Sequence, residues 1–453
     1  MPTSAQVLGK FAAELTFSDI PPAVVERAKD CIIDTVAVAA FGAQFPWSRM
    51  VADYARRYGS GGTCSIIGSP DVRVHAPYAA LTNGVFSHAF EQDGARDPNV
   101  GAHPGATMLP ALLAACEQAS ADGKTAIAAF VAGCEVLFRV AGATHHSRIP
   151  PEKLGFHSPG CTGPYAAAVA AGRVFGLDAD QLAHALGIAG SLSAGLLAFT
   201  KSRQGGMIKR LHLGRASESG FLAASLASAG YTGPETVLDG KFGFLEVYCR
   251  DGSPARLTAD LATKWETLRA GMKRYAFHMT AQTPVQSLRE LMSEHAFSGA
   301  DVAHIMVEGH EKLVTHNNIT EPGDLTQAQY SVPFCVALAL FRDPDDPKSI
   351  AAGALEDAAI RAACRGIEIR KHPQADSRSD KSTRITVRLK DGRELVRDRE
   401  LFLGMPDNPL NREQLRRKFM LLTAAMGEAS AARLFEQLEH LETQPRFSLR
   451  AQS

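Results

Sequence analysis

The feature that most limits how this chain can fold is a succession of long apolar stretches. Their hydrophobic residues recur at helical spacing and are drawn largely from Ala and Gly. The stretches cover residues 21–40, 75–88, 104–120, 125–144, 160–175, 179–198 and 209–229. In the first, Val24, Ala28, Ile32, Ile33 and Val36 form one stripe, and Pro21-Pro22 marks its start, because proline is tolerated in a first helical turn. Small side chains at such positions favour close-packed helices. Aromatic residues make up only 7% of the chain and there are two Trp, which argues against a β-sandwich core. Gly-rich or polar breaks at 59–62, 93–101, 147–158 and 200–206 separate the stretches.

The pattern changes after about Lys264. A short amphipathic helix is expected over 283–294, a strand over 302–307, an apolar helix over 328–341 and strands at 367–371 and within 384–399. In the last segment Ile385, Val387 and Leu389 alternate ahead of Asp391-Gly392, a strong hairpin signal. Helical patterns return at 411–426 and 431–441. The fold class expected is therefore mainly α. A large all-helical domain (1–264 and 401–453) would be accompanied by a smaller α+β module (265–400) inserted before the C-terminal helices. Their junction is the expected place for a cleft.

Lys+Arg and Asp+Glu each number 48, so no overall field draws in nucleic acid or an anionic membrane. Cationic groups for an anionic ligand must be local. The eight Cys form no C-x-x-C pair and lie mostly in apolar stretches, as expected of reduced core thiols. The N-terminal residues lack the basic-then-apolar pattern of a signal peptide. Residues 181–200 are uncharged but interrupted by His184, Ser191 and Ser193, and read as a buried helix rather than a membrane span. The expectation is a cytoplasmic protein with no membrane or nucleic-acid partner.

Chemistry-bearing residues concentrate in a few segments. In Ser87-His88-Ala89-Phe90-Glu91-Gln92-Asp93-Gly94, His88 and Glu91 are expected on one helical face, with Asp93 just past the helix end. A solvated helix end is the bland alternative. His103 precedes Pro104 at a helix start, where orphan N–H groups and the positive end of the dipole favour a carboxylate and a neutral imidazole fit to act as base. The alternative is that His103 is merely a poor cap. Around His157, Ser158 is expected to cap and Pro159 to open the next helix. Lys209, Arg210 and His212 form the densest cationic segment; Lys209 and His212 share a face and can clamp a carboxylate and hold developing negative charge. His278 follows Lys273-Arg274-Tyr275 at the opening of the smaller module, where a structural role competes with delivery to a cleft.

Metal chemistry is poorly supported: there is no H-E-x-x-H, and His145-His146 is an adjacent pair that cannot easily share one ligand face. Arg203-Gln204-Gly205-Gly206 lacks the Gly-Lys-Ser/Thr of a phosphate-binding loop, and no serine-hydrolase elbow is present.

The order of these segments resembles the MmgE/PrpD family along almost the whole chain. The resemblance rests on Ile33-Asp34-Thr35-Val36-Ala37, Asn83-Gly84-x-x-x-His88, His103-Pro104, Phe156-His157-x-Pro159, Lys209-x-x-His212-x-Gly214-x-Ala216, Gly240-Lys241-Phe242-Gly243-Phe244, Lys273-Arg274-Tyr275 and Ala328-Gln329-Tyr330-Ser331. It implies a helical domain with a smaller α+β lid, a homodimer, a site between the domains and no metal or organic cofactor. Carried over by position, it implies His103, His157, Lys209, His212 and His278 as polar lining and Tyr330 near a further site position. With Glu91 and Asp93 these make up the candidate catalytic set, and His88, Arg210 and Tyr330 the candidate substrate-binding set.

One departure stands out. The family pattern His-x-x-Asp-Phe-Asp-Asp reads here His88-Ala89-Phe90-Glu91-Gln92-Asp93-Gly94, so that Glu91 replaces an Asp and Gly94 another. A carboxylate moved by one methylene matters on the scale of catalytic positioning. The expected function is a cofactor-independent lyase, a dehydratase or decarboxylase, acting on a small di- or tricarboxylate. An epimerase or isomerase of a dicarboxylate is the first alternative, and a non-catalytic ligand-binding protein the second.

Overall fold

Small side chains decide how the helices of the first unit meet. A computed structural model describes residues 2–449 other than 99, 146, 203, 204 and 352. His146, Arg203 and Gln204, noted above, lie outside the described residues. The fold is mainly α. The chain divides into two compact units, one formed by residues up to Gly271 together with those from Leu415 onward, the other by Met272–Gln414.

In the first unit the helices Ala76–Ser87, Pro104–Ala119, Gly123–His145, Ser158–Val174 and Ile208–Ser228 pack on one another and are buried along most of their length. A close crossing sits at Gly84 and Gly214: a Cβ on Gly84 would lie 2.7 Å from the Gly214 Cα, and one on Gly214 would lie 2.4 Å from the Leu81 carbonyl oxygen. Any side chain there pushes the two backbones apart. This crossing fixes the end of one helix, which carries His88, against the start of the other, which carries Lys209, Arg210 and His212. Among the described residues, Gly123–His145 is the helix long and apolar enough to cross a membrane, and nearly all of it is buried inside the unit. All eight Cys are buried thiols outside any disulfide.

Two sequence expectations for this unit are corrected. It is not all-helical: Ser60–Ile66 and Ser69–Val74 pair as an antiparallel hairpin, and Ala95–Arg96 pairs with Ala270–Gly271. The glycine run that reads as a helix break is the start of the first strand. Gly61 has φ 87°, and a Cβ on Gly62 would lie 2.1 Å from the His75 amide nitrogen. The helix expected over 179–198 ends at Ser191. Beyond it the chain pairs with the entry to the preceding helix, Ser158–Val174: Ala194 N–H donates to Gly160 O (3.4 Å) and Leu197 N–H to Gly155 O (2.8 Å). Those tertiary bonds outweigh a helical propensity worth only tenths of a kcal/mol per residue, about 0–0.7.

The second unit holds a four-stranded sheet in the order Ile367–Lys371, Val302–Gly309, Thr383–Leu389, Glu394–Arg399. The first pair is parallel and the others antiparallel. The hairpin expected at Asp391-Gly392 is present, with Gly392 at φ 90° and Arg388 opposite Glu394. Helix Met279–His295 packs on the Thr383–Leu389 and Glu394–Arg399 strands. It begins four residues earlier than the amphipathic pattern indicates, because His278 rather than an upstream Ser or Asp caps it. The helix expected over 328–341 is broken into Leu325–Tyr330 and Val332–Phe341; Ser331 between them accepts from the Phe334 N–H, with Pro333 in the new first turn.

Candidate active site

The acidic segment is built from its supports outward. Asn83 ties the helix Ala76–Ser87 to the hairpin, accepting from Ile67 N–H and donating to Ser65 O, both at 2.9 Å. The helix ends at Ser87 with His88 as its C-cap. His88 and Glu91 therefore do not share a helical face, which corrects the sequence reading. Glu91 lies beyond the helix at φ 54°, a left-handed conformation that costs an L-residue about 1–2 kcal/mol. Three neighbours hold the turn. Phe90 stacks on Phe45 (4.4 Å) and meets Phe41 edge-on (5.3 Å). Arg210 lies over the Trp47 ring (4.4 Å) and donates through Nε to Ala89 O (3.0 Å). Lys209 forms a buried ion pair with Glu91. Arg210, a candidate for substrate binding, is thus engaged with backbone carbonyls and an indole ring.

Asp93 is the centre of the site. One of its carboxylate oxygens, Oδ2, lies 2.9 Å from His88 Nδ1 and 2.7 Å from His103 Nδ1. A carboxylate only accepts, so each imidazole donates from Nδ1, which leaves Nε2 as the nitrogen that can exchange a proton. His88 is fully buried, and burial pushes its pKa down to about 3. Burial acts to raise the Asp93 carboxyl, but the two imidazoles beside it override that and hold it well below the usual carboxylate range. Among the described residues, His88 Nε2 and Asp93 Oδ1 are buried without a hydrogen-bond partner. His103 is the N-cap residue of Pro104–Ala119, as its sequence position indicates, but its side chain makes no cap bond and turns to Asp93 instead. It keeps 14% of its side chain exposed, which makes its Nε2 the accessible ring nitrogen of the trio.

A second pair of imidazoles adjoins the first. The His88 and His157 rings are 6.5 Å apart, and His157 Nδ1 lies 3.1 Å from His212 Nδ1, so one nitrogen donates to the other. Burial and the neighbouring imidazoles hold His157 well below the usual histidine range; burial also lowers His212. Both are neutral near pH 7. His157, not Ser158, is the N-cap residue of its helix; the Ser158 hydroxyl donates to Glu152 instead. Phe199 lies against both rings.

His278 and Tyr330 belong to the second unit. His278 Nδ1 accepts from Thr280 N–H (3.5 Å) and lies 2.9 Å from Thr280 Oγ1, while its ring is 4.5 Å from that of Tyr330. Asn317 donates to Tyr330 O (2.8 Å).

The ligand atoms of His88, Asp93 and His103 lie within 4.8 Å of one another, close enough to share a divalent ion; Glu436, Glu439 and His440 form a second such group. In the first group Asp93 Oδ2 bonds both imidazoles through Nδ1, while among the described residues His88 Nε2 and Asp93 Oδ1 have no hydrogen-bond partner. The supports Phe41, Phe45, Trp47, Asp34 and Lys418 escaped the sequence reading. The cluster of three aromatics within 41–47 of an aromatic-poor chain was an available signal; nothing linked Lys418 to the site.

The MmgE/PrpD N-terminal domain family matches residues 6–257, and the MmgE/PrpD C-terminal domain family matches residues 275–443. Similar proteins include a cis-aconitate decarboxylase from Aspergillus terreus, 27% identical over 94% of this chain and 91% of the relative. The Homo sapiens cis-aconitate decarboxylase is 26% identical over 92% of this chain and 88% of its own length. That of Mus musculus is 26% identical over 94% and 89%.

Proposed function

The chain belongs to the MmgE/PrpD family, and from that premise we propose that it is a lyase acting on a small di- or tricarboxylate by acid–base chemistry without a metal or organic cofactor, with decarboxylation of a cis-aconitate-like substrate as its reaction. The relatives named cis-aconitate decarboxylase support the reaction class. The observation that carries the chemistry is the single Asp93 oxygen shared by two imidazoles, which sets both tautomers and leaves His103 Nε2 accessible.

In this reading the bond to the departing carboxylate breaks and its electron pair moves through the adjacent double bond to the next carbon. His103, having taken up a proton from water at Nε2, delivers it to that carbon and returns to neutral imidazole; Asp93, accepting from Nδ1, stabilises the imidazolium before the transfer. Lys209 and His212 hold the remaining carboxylates and spread the developing charge. His157 and His212 share one hydrogen bond between their Nδ1 atoms. The protein acts as a homodimer in the cytoplasm, with no nucleic-acid or membrane partner.

An epimerase remains the second reading, favoured by one observation: two adjoining imidazole pairs offer two acid–base groups for one carbon. Incubation in D2O with cis-aconitate, citrate, 2-methylcitrate and iminodisuccinate, followed by NMR, separates them. Loss of CO2 with deuterium placed on carbon supports the decarboxylase and loss of water the dehydratase. Exchange without skeletal change supports the epimerase. No reaction across a broad polycarboxylate panel would sink all three, and activity lost to EDTA and regained with a divalent ion would overturn the metal-free reading.

A further inference from the structure

We propose that Lys418 and Asp34 are positioning residues that hold the Asp93 carboxylate between His88 and His103. The kinetic arm of this inference rests on the lyase reading above. Lys418, on the helix Arg412–Leu422, donates to Asp34 Oδ1 at 2.5 Å; Asp34 lies on Pro22–Gly42, 384 residues away in sequence, and both are buried. The same ammonium also reaches the carbonyl oxygen of Gln92 at 3.5 Å, and Gln92 immediately precedes Asp93.

The neighbour of Asp34 faces the other arm of the contact. The Thr35 hydroxyl donates to Cys31 O at 2.7 Å, and a Cβ on Gly105 would lie 1.9 Å from Thr35 Oγ1. Thr35 therefore presses on the helix start two residues after His103. One short segment, Asp34-Thr35, buttresses both the loop that carries Asp93 and the helix start that carries His103.

A buried ion pair is weak grounds for stability, since well-packed apolar residues of similar volume usually serve as well or better. What an apolar pair cannot supply is a donor at the Gln92 carbonyl. Arg210 performs the corresponding task at Ala89 O on the far side of the turn, so the turn is held at both ends by a cation on a backbone oxygen.

The test separates positioning from stability. Lys418→Met alone removes the cation of the buried pair with Asp34 and is expected to lower the melting temperature by several degrees. Asp34→Asn with Lys418→Met removes both charges, and its melting temperature is expected to recover most of that loss. The donor to Gln92 stays missing in the double variant. Its His88 and His103 side-chain 15N resonances, assigned by their loss in His88→Gln and His103→Gln, are therefore expected to remain shifted from those of the unaltered protein. Its kcat on cis-aconitate is expected to stay about 10–100-fold low with KM little changed. Lys418→Arg, which returns charge and donors, is expected to bring both readouts back towards those of the unaltered protein. Imidazole resonances in the double variant that coincide with the unaltered protein overturn the proposal. Should the double variant not fold, Lys418→Met at low temperature is read by the same spectra. If the unaltered protein turns over no polycarboxylate, the lyase reading fails alone and the spectra still decide the positioning role.

Discussion

The histidines of the first unit and His278 of the second are held in opposite ways. His88 and His103 each donate from Nδ1 to a carboxylate, whereas His278 accepts at Nδ1 from the backbone N–H of Thr280 and so carries its proton at Nε2. The partners differ in range as well. His278 Nδ1 meets the Thr280 N–H two positions away and the Asn317 amide 39 positions away, both at 3.5 Å. The first cluster draws Lys209 to Glu91 across 118 residues and His157 to His212 across 55. A local cap needs only a helix start. A carboxylate-centred cluster needs several helices already in place, and it leaves polar atoms such as His88 Nε2 buried without a partner among the described residues. Such groups are costly to the fold and point to chemistry rather than stability.

The comparison breaks most visibly at Asp93. Asp93→Asn replaces a pure acceptor with a group that can offer an N–H, so the two imidazoles lose their imposed tautomer. Turnover is expected to fall about 10³–10⁴-fold with the circular dichroism spectrum unchanged. Full activity in that variant would remove Asp93 from the site.

Lys209→Met is expected to destabilise the fold by about 3–5 kcal/mol, because it removes the cation from a buried ion pair with Glu91. Adding Glu91→Gln should restore most of the stability but not the activity, as read by denaturant unfolding beside initial rates. Recovery of both together would make the pair structural only.

His278→Asn keeps an oxygen acceptor at the cap, so stability should change by no more than about 0.5 kcal/mol. Turnover is expected to drop about 10²-fold if the ring nitrogen serves the reaction as its carried-over position implies. A stable variant with unaltered turnover would confine His278 to capping.

The smallest effect is a pH slope. Folding holds His88 neutral, with a pKa of about 3, while the unfolded chain takes up that proton near 6.5. Stability is thus lost as pH falls below about 6.5, at up to about 1.4 kcal/mol per pH unit for this one group, and the loss levels off near 3. Asp93 works in the other direction. Its depressed carboxyl contributes stability that is present above the unfolded value of about 3.9 and disappears only as pH drops through its low folded value. The window from about 6 to 4 therefore belongs to the buried imidazoles. Chemical denaturation across it should show a shallower slope for His88→Gln.

Much of the helical framework was legible because apolar spacing survives local sequence noise. The Asp391-Gly392 hairpin was legible because only certain residues take that turn. The strands at 60–74 were hidden, since a glycine run looks the same whether it breaks a helix or admits a close-packed neighbour. The helix end at Ser191 was hidden too, because pairing with residues 155–160 overrides local propensity. At the site, the order His88, Glu91, Asp93, His103, His157, Lys209, His212 could be read as candidates. Their pairing could not: helical spacing linked His88 with Glu91, whereas the fold joins His88 to Asp93 and Glu91 to Lys209.

By itself the sequence determined a mainly helical chain of family MmgE/PrpD and the residue types present for acid–base work, because periodicity and short ordered motifs are properties of neighbours along the chain. Only the tertiary structure decided that His88 and His103 both donate from Nδ1 to one Asp93 oxygen, that Glu91 neutralises Lys209, and that Arg210, Trp47, Asp34 and Lys418 brace the turn around Asp93. Those outcomes depend on burial and on contacts that run from a few to hundreds of positions along the chain, and no local pattern encodes a contact that only helix packing creates.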